Sequence, residues 1–334
     1  MNAGVNHSCI FSIKFKNGFN KPNNNWLFYF LNLKQMHLKL NLRGSVDPLV
    51  TYLKNFAKIR PSLLIEIDTN SKSFVAKTFT EDRASVRFSA ISFADCNTTV
   101  ISNDGEKEVG QNRIKVGILI QLTKLIRIVE RFGADVDDKG LCNFDIDVEY
   151  NKLVNPDKTT DFVTTTLSFS SSALKMKMDG FRISELKYLS DDKFNNIVFN
   201  VDDPVSLEIL PSTISSIIKT SDIIKMDARK DTLVFYVDGT DLYVKDYLGK
   251  DEKGNDKPAN FIYKIGTLTE KPDYEIRAAI FREKFIQMMD KTDDTYNIIL
   301  GRRKTQDGEY VVDRILFDST TSTTKVVISI INEG

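Results

Sequence analysis

Apolar and polar residues alternate with a period of two along most of the chain. The runs "SLLIEIDT" (62–69), "SFVAKTFT" (73–80), "ASVRFSAISF" (84–93), "CNFDIDVEY" (142–150), "VTTTLSFS" (163–170), "LVFYVDG" (233–239) and "KVVISII" (325–331) each predict a strand with one face turned to a core. Asp104-Gly105, Asp238-Gly239 and Asp307-Gly308 supply turn signals near several of them, because Gly tolerates the positive φ of tight hairpin turns. The chain is therefore rich in sheet.

Four segments switch to helical spacing. The first covers 46–58, with Val46, Leu49, Val50, Leu53, Phe56 and Ala57 as its apolar face. The second is "QLTKLIRIVERF" (121–132). At about 100° per residue its Leu122, Leu125, Ile126, Val129 and Phe132 fall on one side, and Lys124, Arg127 and Arg131 cluster on the other with only Glu130 nearby. The third runs over 211–225, entered through Pro211 and Ser212, with Ile214, Ile217, Ile218 and Ser221 on one side. The fourth is "FREKFIQMMD" (281–290), with Phe281, Phe285 and Met288. Their starts lie about 70 to 90 residues apart, each preceded by a short strand and followed by about three more. The pattern predicts an α+β fold of four β-α-β-β-β units paired into two similar domains, with helices on one side of curved antiparallel sheets.

Composition narrows the class. The chain has 334 residues, 46 basic and 46 acidic groups and 41% hydrophobic residues, so it is globular, with length for about two domains. Net charge alone predicts no polyanion partner. Cys9, Cys96 and Cys142 are odd in number and far apart, which argues against a disulfide framework and for a reducing, cytoplasmic setting. His7 and His37 are the only histidines and no Cys pair has metal spacing, so neither zinc nor any other cofactor is expected.

Residues 1–35 differ from the rest: "NGFNKPNNNWLFYFLNLKQ" is rich in Asn and aromatics. Its apolar run, Trp26 to Leu31, is far short of the roughly 20 residues that span a bilayer, and no membrane partner is expected. Regular texture begins at Met36, so 1–35 read as a disordered or non-native extension and Met36 as the true start. The remaining boundaries fall at 36–186 for a first domain, 187–204 for a connector and 205–334 for a second domain.

Counted by element, the charge is no longer balanced. Lys54, Lys58 and Arg60 stand against Asp47 in and just after the first helix; Lys124, Arg127 and Arg131 against Glu130 in the second. Lys219 and Lys225 stand against Asp222 in the third; Arg282, Lys284 and Lys291 against Glu283 and Asp290 in the fourth. The four helices together carry +6 and the remainder −6, the sorting expected of one surface that meets phosphate and another that does not.

Here the chain resembles a family, the DNA sliding clamps, and within it the two-domain processivity factors of tailed bacteriophages. The likeness is best in "DPLVTYLKNFAKIRPSLLIEI", where a first helix ending in Leu-Lys-Asn-Phe-Ala leads into a long strand, and the repeat organisation extends it over Met36 to Gly334. The resemblance implies a DNA-clamp fold closed into a homotrimeric ring, with the helices lining a hole around double-stranded DNA and no enzymatic activity. Lys54, Lys58, Lys124, Arg127, Arg131, Lys219, Lys225 and Arg282 would face the phosphates without reading sequence. It also implies a DNA polymerase and an ATP-driven clamp loader as partners, since no Walker motif is present here. An apolar client site near the connector would use Tyr188, Leu189 and Phe194, which could equally cover the local core.

Other chemistries find less support. Asp145, Asp147 and Glu149 share one face of "FDIDVEY", as metal-holding carboxylates can, but so do the acids of any solvent-facing strand. "GRRKTQDGEY" (301–310) lacks phosphate-loop spacing and reads as a basic hairpin. Two non-enzymatic alternatives stay open: a virion or scaffold protein of repeated β units, and a monomeric processivity factor that holds DNA by charge alone.

Overall fold

The computed structural model describes residues 35–118, 121–155, 157–180, 200–223, 231–289, 292–304 and 310–331. They belong to one compact unit, Lys34–Gly334. The extension read over 1–35 lies outside the described residues except for Gln35.

The first half runs β1 (Met36–Gly44), α1 (Asp47–Ala57), β2 (Leu63–Asp68), β3 (Ser73–Phe79), β4 (Ser85–Ser92), β5 (Thr98–Asn103), α2 (Glu106–Val109), β6 (Ile114–Ile118), α3 (Leu122–Gly133), β7 (Cys142–Val154), β8 (Thr160–Ser170) and β9 (Lys175–Asp179). The second runs β10 (Asp202–Ile209), α4 (Pro211–Ile223), β11 (Thr232–Asp238), β12 (Asp241–Asp246), β13 (Ile262–Thr267), β14 (Arg277–Phe281), α5 (Arg282–Met289), β15 (Tyr296–Lys304), β16 (Tyr310–Val311), β17 (Arg314–Ser319) and β18 (Lys325–Ser329). The architecture is α+β: large, mostly antiparallel sheets with few helices.

The two halves repeat one plan. Strands β6-β2-β3-β4 lie side by side in the first half, as β14-β11-β12-β13 do in the second. Likewise β1-β7-β8-β9 matches β10-β15-β17-β18, while β5 and β16 are additions to the plan. Alternation sets the faces: in β1, Met36, Leu38, Leu40 and Leu42 are buried and the residues between them are not. These residues join a core with the inner sides of α1 and α3, where the Phe132 ring packs, tilted, 5.1 Å from that of Phe144 of β7. A second core gathers Ile209 to Ile328 around α4 and α5, and Ile59, just past α1, belongs to it.

Hydrogen bonding between β4 and β18 joins the halves. The register is Lys325 with Phe88, Val326 with Arg87, Val327 with Val86 and Ile328 with Ser85. A small cluster of Leu64, Phe79, Val86, Val163, Leu316 and Val327 seals it on one face. Side chains prolong the ladder: Thr323 Oγ1 accepts from Ala90 N at 2.7 Å and donates to Ala90 O at 3.0 Å. Arg87, buried, donates to Met288 O of α5 at 3.0 Å, and Lys284 Nζ meets Asp82 in the β3–β4 turn at 2.9 Å.

Some local expectations need correction. Phe281 ends β14 instead of opening the fourth helix, and it is exposed because the strand turns its side chain away from the second core. Asp104-Gly105 leads from β5 into the short α2, with Gly105 as its N-cap, and makes no hairpin. Asp238-Gly239 does turn β11 into β12, with Gly239 at φ +64°. Residues 307 and 308 lie outside the described set.

The Asp82 carboxyl titrates below the ordinary range. Burial pushes it up, but the hydrogen bonds from Thr80 Oγ1 at 2.5 Å and from Lys284 outweigh that and hold it down. A carboxylate with a depressed folded pKa stabilises the protein above its unfolded value and loses that contribution as pH falls through the folded value. Asp82→Asn is therefore expected to be less stable than wild type above about pH 4, with the difference closing at lower pH. Urea unfolding midpoints of both proteins from pH 7 to pH 2.5 check this; a gap that persists at the acid end contradicts it.

Candidate nucleic-acid interface

The helices stand in a cross-linked row. Lys54 Nζ of α1 meets Glu130 of α3 at 2.7 Å. Gln287 Nε2 of α5 donates to the carbonyl oxygens of Lys58 and Ile59, at the end of α1, at 3.3 and 3.1 Å. Arg282, the first residue of α5, pairs with Asp222 and donates to Ser221 Oγ in the last turn of α4 at 2.9 Å. The order along the row is thus α3, α1, α5, α4.

Each helix shows its polar side outward because its apolar stripe is spent on a core. In α3, Leu122, Leu125, Ile126, Ile128, Val129 and Phe132 are buried, whereas Lys124, Arg127 and Arg131 are exposed and make no ion pair among the described residues. Gly133 closes the helix where any larger side chain would run into the Val46 methyl groups, and this lets the start of α1 approach the end of α3. In α1, Leu49, Val50, Tyr52, Leu53 and Phe56 are buried and Lys54 and Lys58 are exposed. Tyr52 donates its buried hydroxyl to Ser89 O at 2.8 Å and to Phe74 O at 3.2 Å, and burial raises its pKa well above the ordinary tyrosine value.

The basic surplus is uneven along this row. On α1, α3 and their ends, exposed Lys54, Lys58, Lys124, Arg127 and Arg131 stand with Asp47, Glu130 and Asp135 as exposed acids. On α4 and α5, Lys219 is exposed, but so are Asp222 and Glu283. The expectation that Arg282 serves as a free phosphate-facing cation is corrected. Its guanidinium turns into the protein, held by Asp222, by Asp231 at 3.0 Å and by Ser221, and burial lowers its pKa. Lys284 is likewise spent on Asp82. Lys225 and the connector residues Tyr188, Leu189 and Phe194 lie outside the described residues.

Acidic residues occupy the opposite side of the first sheet. Because Phe144, Ile146 and Val148 of β7 point into the core with α1 and α3, Asp145, Asp147 and Glu149 between them point away from the helices. Each has a local partner: Asn41 Nδ2 on Asp145 at 2.8 Å, His37 Nδ1 on Asp147 at 3.0 Å, and Gln35 Nε2 on Glu149 at 2.9 Å. Among the described residues no group of three or more His, Cys, Asp or Glu is arranged to hold a metal ion. The basic hairpin ends in a stack: the Arg302 guanidinium lies 4.8 Å from the Tyr274 ring and 4.5 Å from the Tyr310 ring, tied to Asp203 at 2.7 Å.

Neither the family models nor the curated proteins contain a match to this chain. Solved structures do match. The fold superposes on A. fulgidus PCNA, solved with the C-terminal region of FEN-1 bound, with a TM-score of 0.51 at 11% identity, covering 87% of this chain and 97% of that one. It also superposes on the DNA polymerase III beta chain of Streptococcus pneumoniae, with a TM-score of 0.50 at 11% identity, over 89% of this chain. The DNA polymerase sliding clamp of Bacillus subtilis gives a TM-score of 0.50 at 10% identity over the same share. This chain spans 65% of the length of each of those two bacterial chains. The architecture is the DNA sliding clamp fold.

If Arg282 is a cross-link between α4 and α5, its loss is a stability defect. Arg282→Met strands Asp231, one of whose carboxylate oxygens is already buried without a hydrogen bond and whose pKa burial raises. The expected cost is about 1 to 3 kcal/mol, below the range for fully buried pairs because Asp222 is largely exposed. Urea denaturation at pH 7 measures it, and a folded variant that keeps wild-type stability but loses DNA attraction would contradict this assignment.

Proposed function

We propose that this chain is a polymerase processivity factor that assembles as a homotrimeric ring around duplex DNA, with 36–186 and 205–334 as its two domains. One observation carries the reading: in a sliding clamp fold, the exposed cations Lys54, Lys58, Lys124, Arg127, Arg131 and Lys219 lie on a single row of helices, while the acids of β7 lie across the sheet. Lysine and arginine on helix surfaces, with no element shaped to enter a groove, attract phosphates without distinguishing bases, and that attraction weakens steeply with salt. Enclosure, not tight binding, then keeps a polymerase on its template.

The internal repeat supports closure. Within the chain β4 pairs with β18; in the repeated plan their counterparts are β13 and β9. Among the described residues β13 pairs only with β12, and β9 only with β8, so each keeps one open edge. An antiparallel β13–β9 contact between copies would repeat the in-chain junction at every boundary of the ring. Length supports the trimer, because the chain matches nearly the whole of a PCNA chain but only part of the bacterial chains. A polymerase and a loader that opens the ring are the expected partners, and the connector, 187–204, is the proposed client region.

The test is solution mass by light scattering across dilution, together with binding to duplex DNA of mixed sequence at rising salt. A mass near three times 38.0 kDa is expected. Lys58→Glu combined with Arg131→Glu should leave that mass unchanged and weaken DNA retention at low salt by about tenfold or more. A monomer that nonetheless holds DNA tightly would replace the ring with the charge-only processivity factor. A chain indifferent to DNA would return the scaffold alternative.

A further inference from the structure

The repeated plan extends to the helices residue by residue. Aligning α5 with α3 sets Lys284 on Lys124, Phe285 on Leu125, Gln287 on Arg127, Met288 on Ile128 and Met289 on Val129. The burial agrees, since Phe285, Met288 and Met289 are buried as are Leu125, Ile128 and Val129. Aligning α4 with α1 sets Ile214 on Leu49, Ile217 on Tyr52, Ile218 on Leu53 and Ser221 on Phe56, all buried, and the exposed Lys219 on the exposed Lys54. In this frame Ile223 is the counterpart of Lys58.

The two α5 side chains that cross the in-chain junction are Lys284, onto Asp82, and Gln287, onto the carbonyl oxygens that end α1. Their counterparts Lys124 and Arg127 are exposed on α3 and make no comparable contact among the described residues. The counterpart of the α1 terminus among the described residues is Ile223, the last residue of α4, whose side chain is 82% exposed. We infer that Arg127 is a contact between copies, donating to the carbonyl oxygens of the last turn of α4 in a second copy of this chain, at Ile223. This rests on the ring reading, whose β13–β9 contact brings α4 of one copy beside α3 of the next as β4–β18 brings α1 beside α5.

The chemistry suits the place. The last turn of a helix presents unsatisfied carbonyl groups and the negative end of the helix dipole, so a guanidinium with five N–H donors is a better partner there than an amide. The in-chain junction is held by covalent continuity at high effective concentration, and Gln287 suffices for it; a junction formed from solution gains from the stronger, charge-assisted bond. An isoleucine as open as Ile223 also gains apolar burial when covered. Arg131 lies one turn further along α3, and its counterpart in the same alignment, Lys291, lies outside the described residues.

The full-length chain tests this by light scattering across dilution, with circular dichroism melts to confirm folding. Arg127→Glu should raise the concentration needed for assembly by at least about tenfold, because a carboxylate would face helix-end carbonyls. Arg127→Gln, which keeps N–H donors but loses the charge, should weaken assembly less than Arg127→Glu does, Arg131→Glu should assemble as wild type does, and Ile223→Lys, which sets a like charge against Arg127, should reproduce the Arg127→Glu defect from the other side. An Arg127→Glu protein that assembles normally overturns the assignment and leaves the ring standing. Equal loss in Arg131→Glu reduces the effect to bulk charge and overturns it as well. A wild-type chain monomeric at every concentration removes the ring, and this contact with it.

Discussion

The antiparallel pairing of β4 with β18 is the contact on which the arrangement of the helices depends. It runs for four residue pairs, and each backbone bond is worth only about 0.5 to 1.5 kcal/mol net. Its specificity comes from what lies on either face. Val326 and Ile328 point into the second core, Val327 into the small junction cluster. A slip of one residue would exchange those faces and expose the apolar set, so the register is fixed by burial rather than by the ladder itself. With that register set, Ile59 enters the second core and Gln287 reaches the end of α1, which makes two pairs of helices into one row.

Ion pairs decorate this row without building it. Lys54 and Glu130 are both about half exposed, and such a pair contributes at most about 1 kcal/mol. The packing of α1 and α3 on their sheets fixes the helices far more firmly, and the ion pair follows from it. Arg282 differs because it is mostly buried: its pairing compensates for desolvation that would otherwise be costly, so it orders the α4–α5 corner and adds no charge to the surface. A neutral chain can in this way keep exposed cations together on one row of helices, provided the partners of its buried cations come from elsewhere in the fold.

Periodicity carried most of the architecture. The stripe of α3 is unambiguous, and the alternation in β7 predicts the buried face correctly. Two elements escaped it. In β5, an edge strand, Val100 and Ile101 are both exposed, so no one-sided pattern exists to be read; α2 is a single turn, too short to show a helical repeat. The site was less legible than the fold. Spacing places Arg282 and Lys284 on a helix, but Asp231 and Asp82, which claim them, are about 50 and 200 residues away. A charge count over local segments therefore overstates the free cations wherever tertiary partners intervene, as on α5, and less so on α3, whose Lys124, Arg127 and Arg131 make no ion pair among the described residues.

Sequence-independent attraction to a polyanion places few demands on a chain. It asks for cations on one side of a layer, not for a particular residue at a particular place, and the sheets ask only for alternation and a buried register. The demand of the sheets survives extensive substitution, which is why a fold shared with PCNA and bacterial clamp chains can persist where only about one residue in ten is identical. The stricter demands fall where backbone meets backbone: at the β4–β18 register, at Gly133 where α1 closes on α3, and at the helix ends that Gln287 and Arg282 bind. Those positions, more than the surface lysines, decide whether the two halves present their four longer helices as a single row.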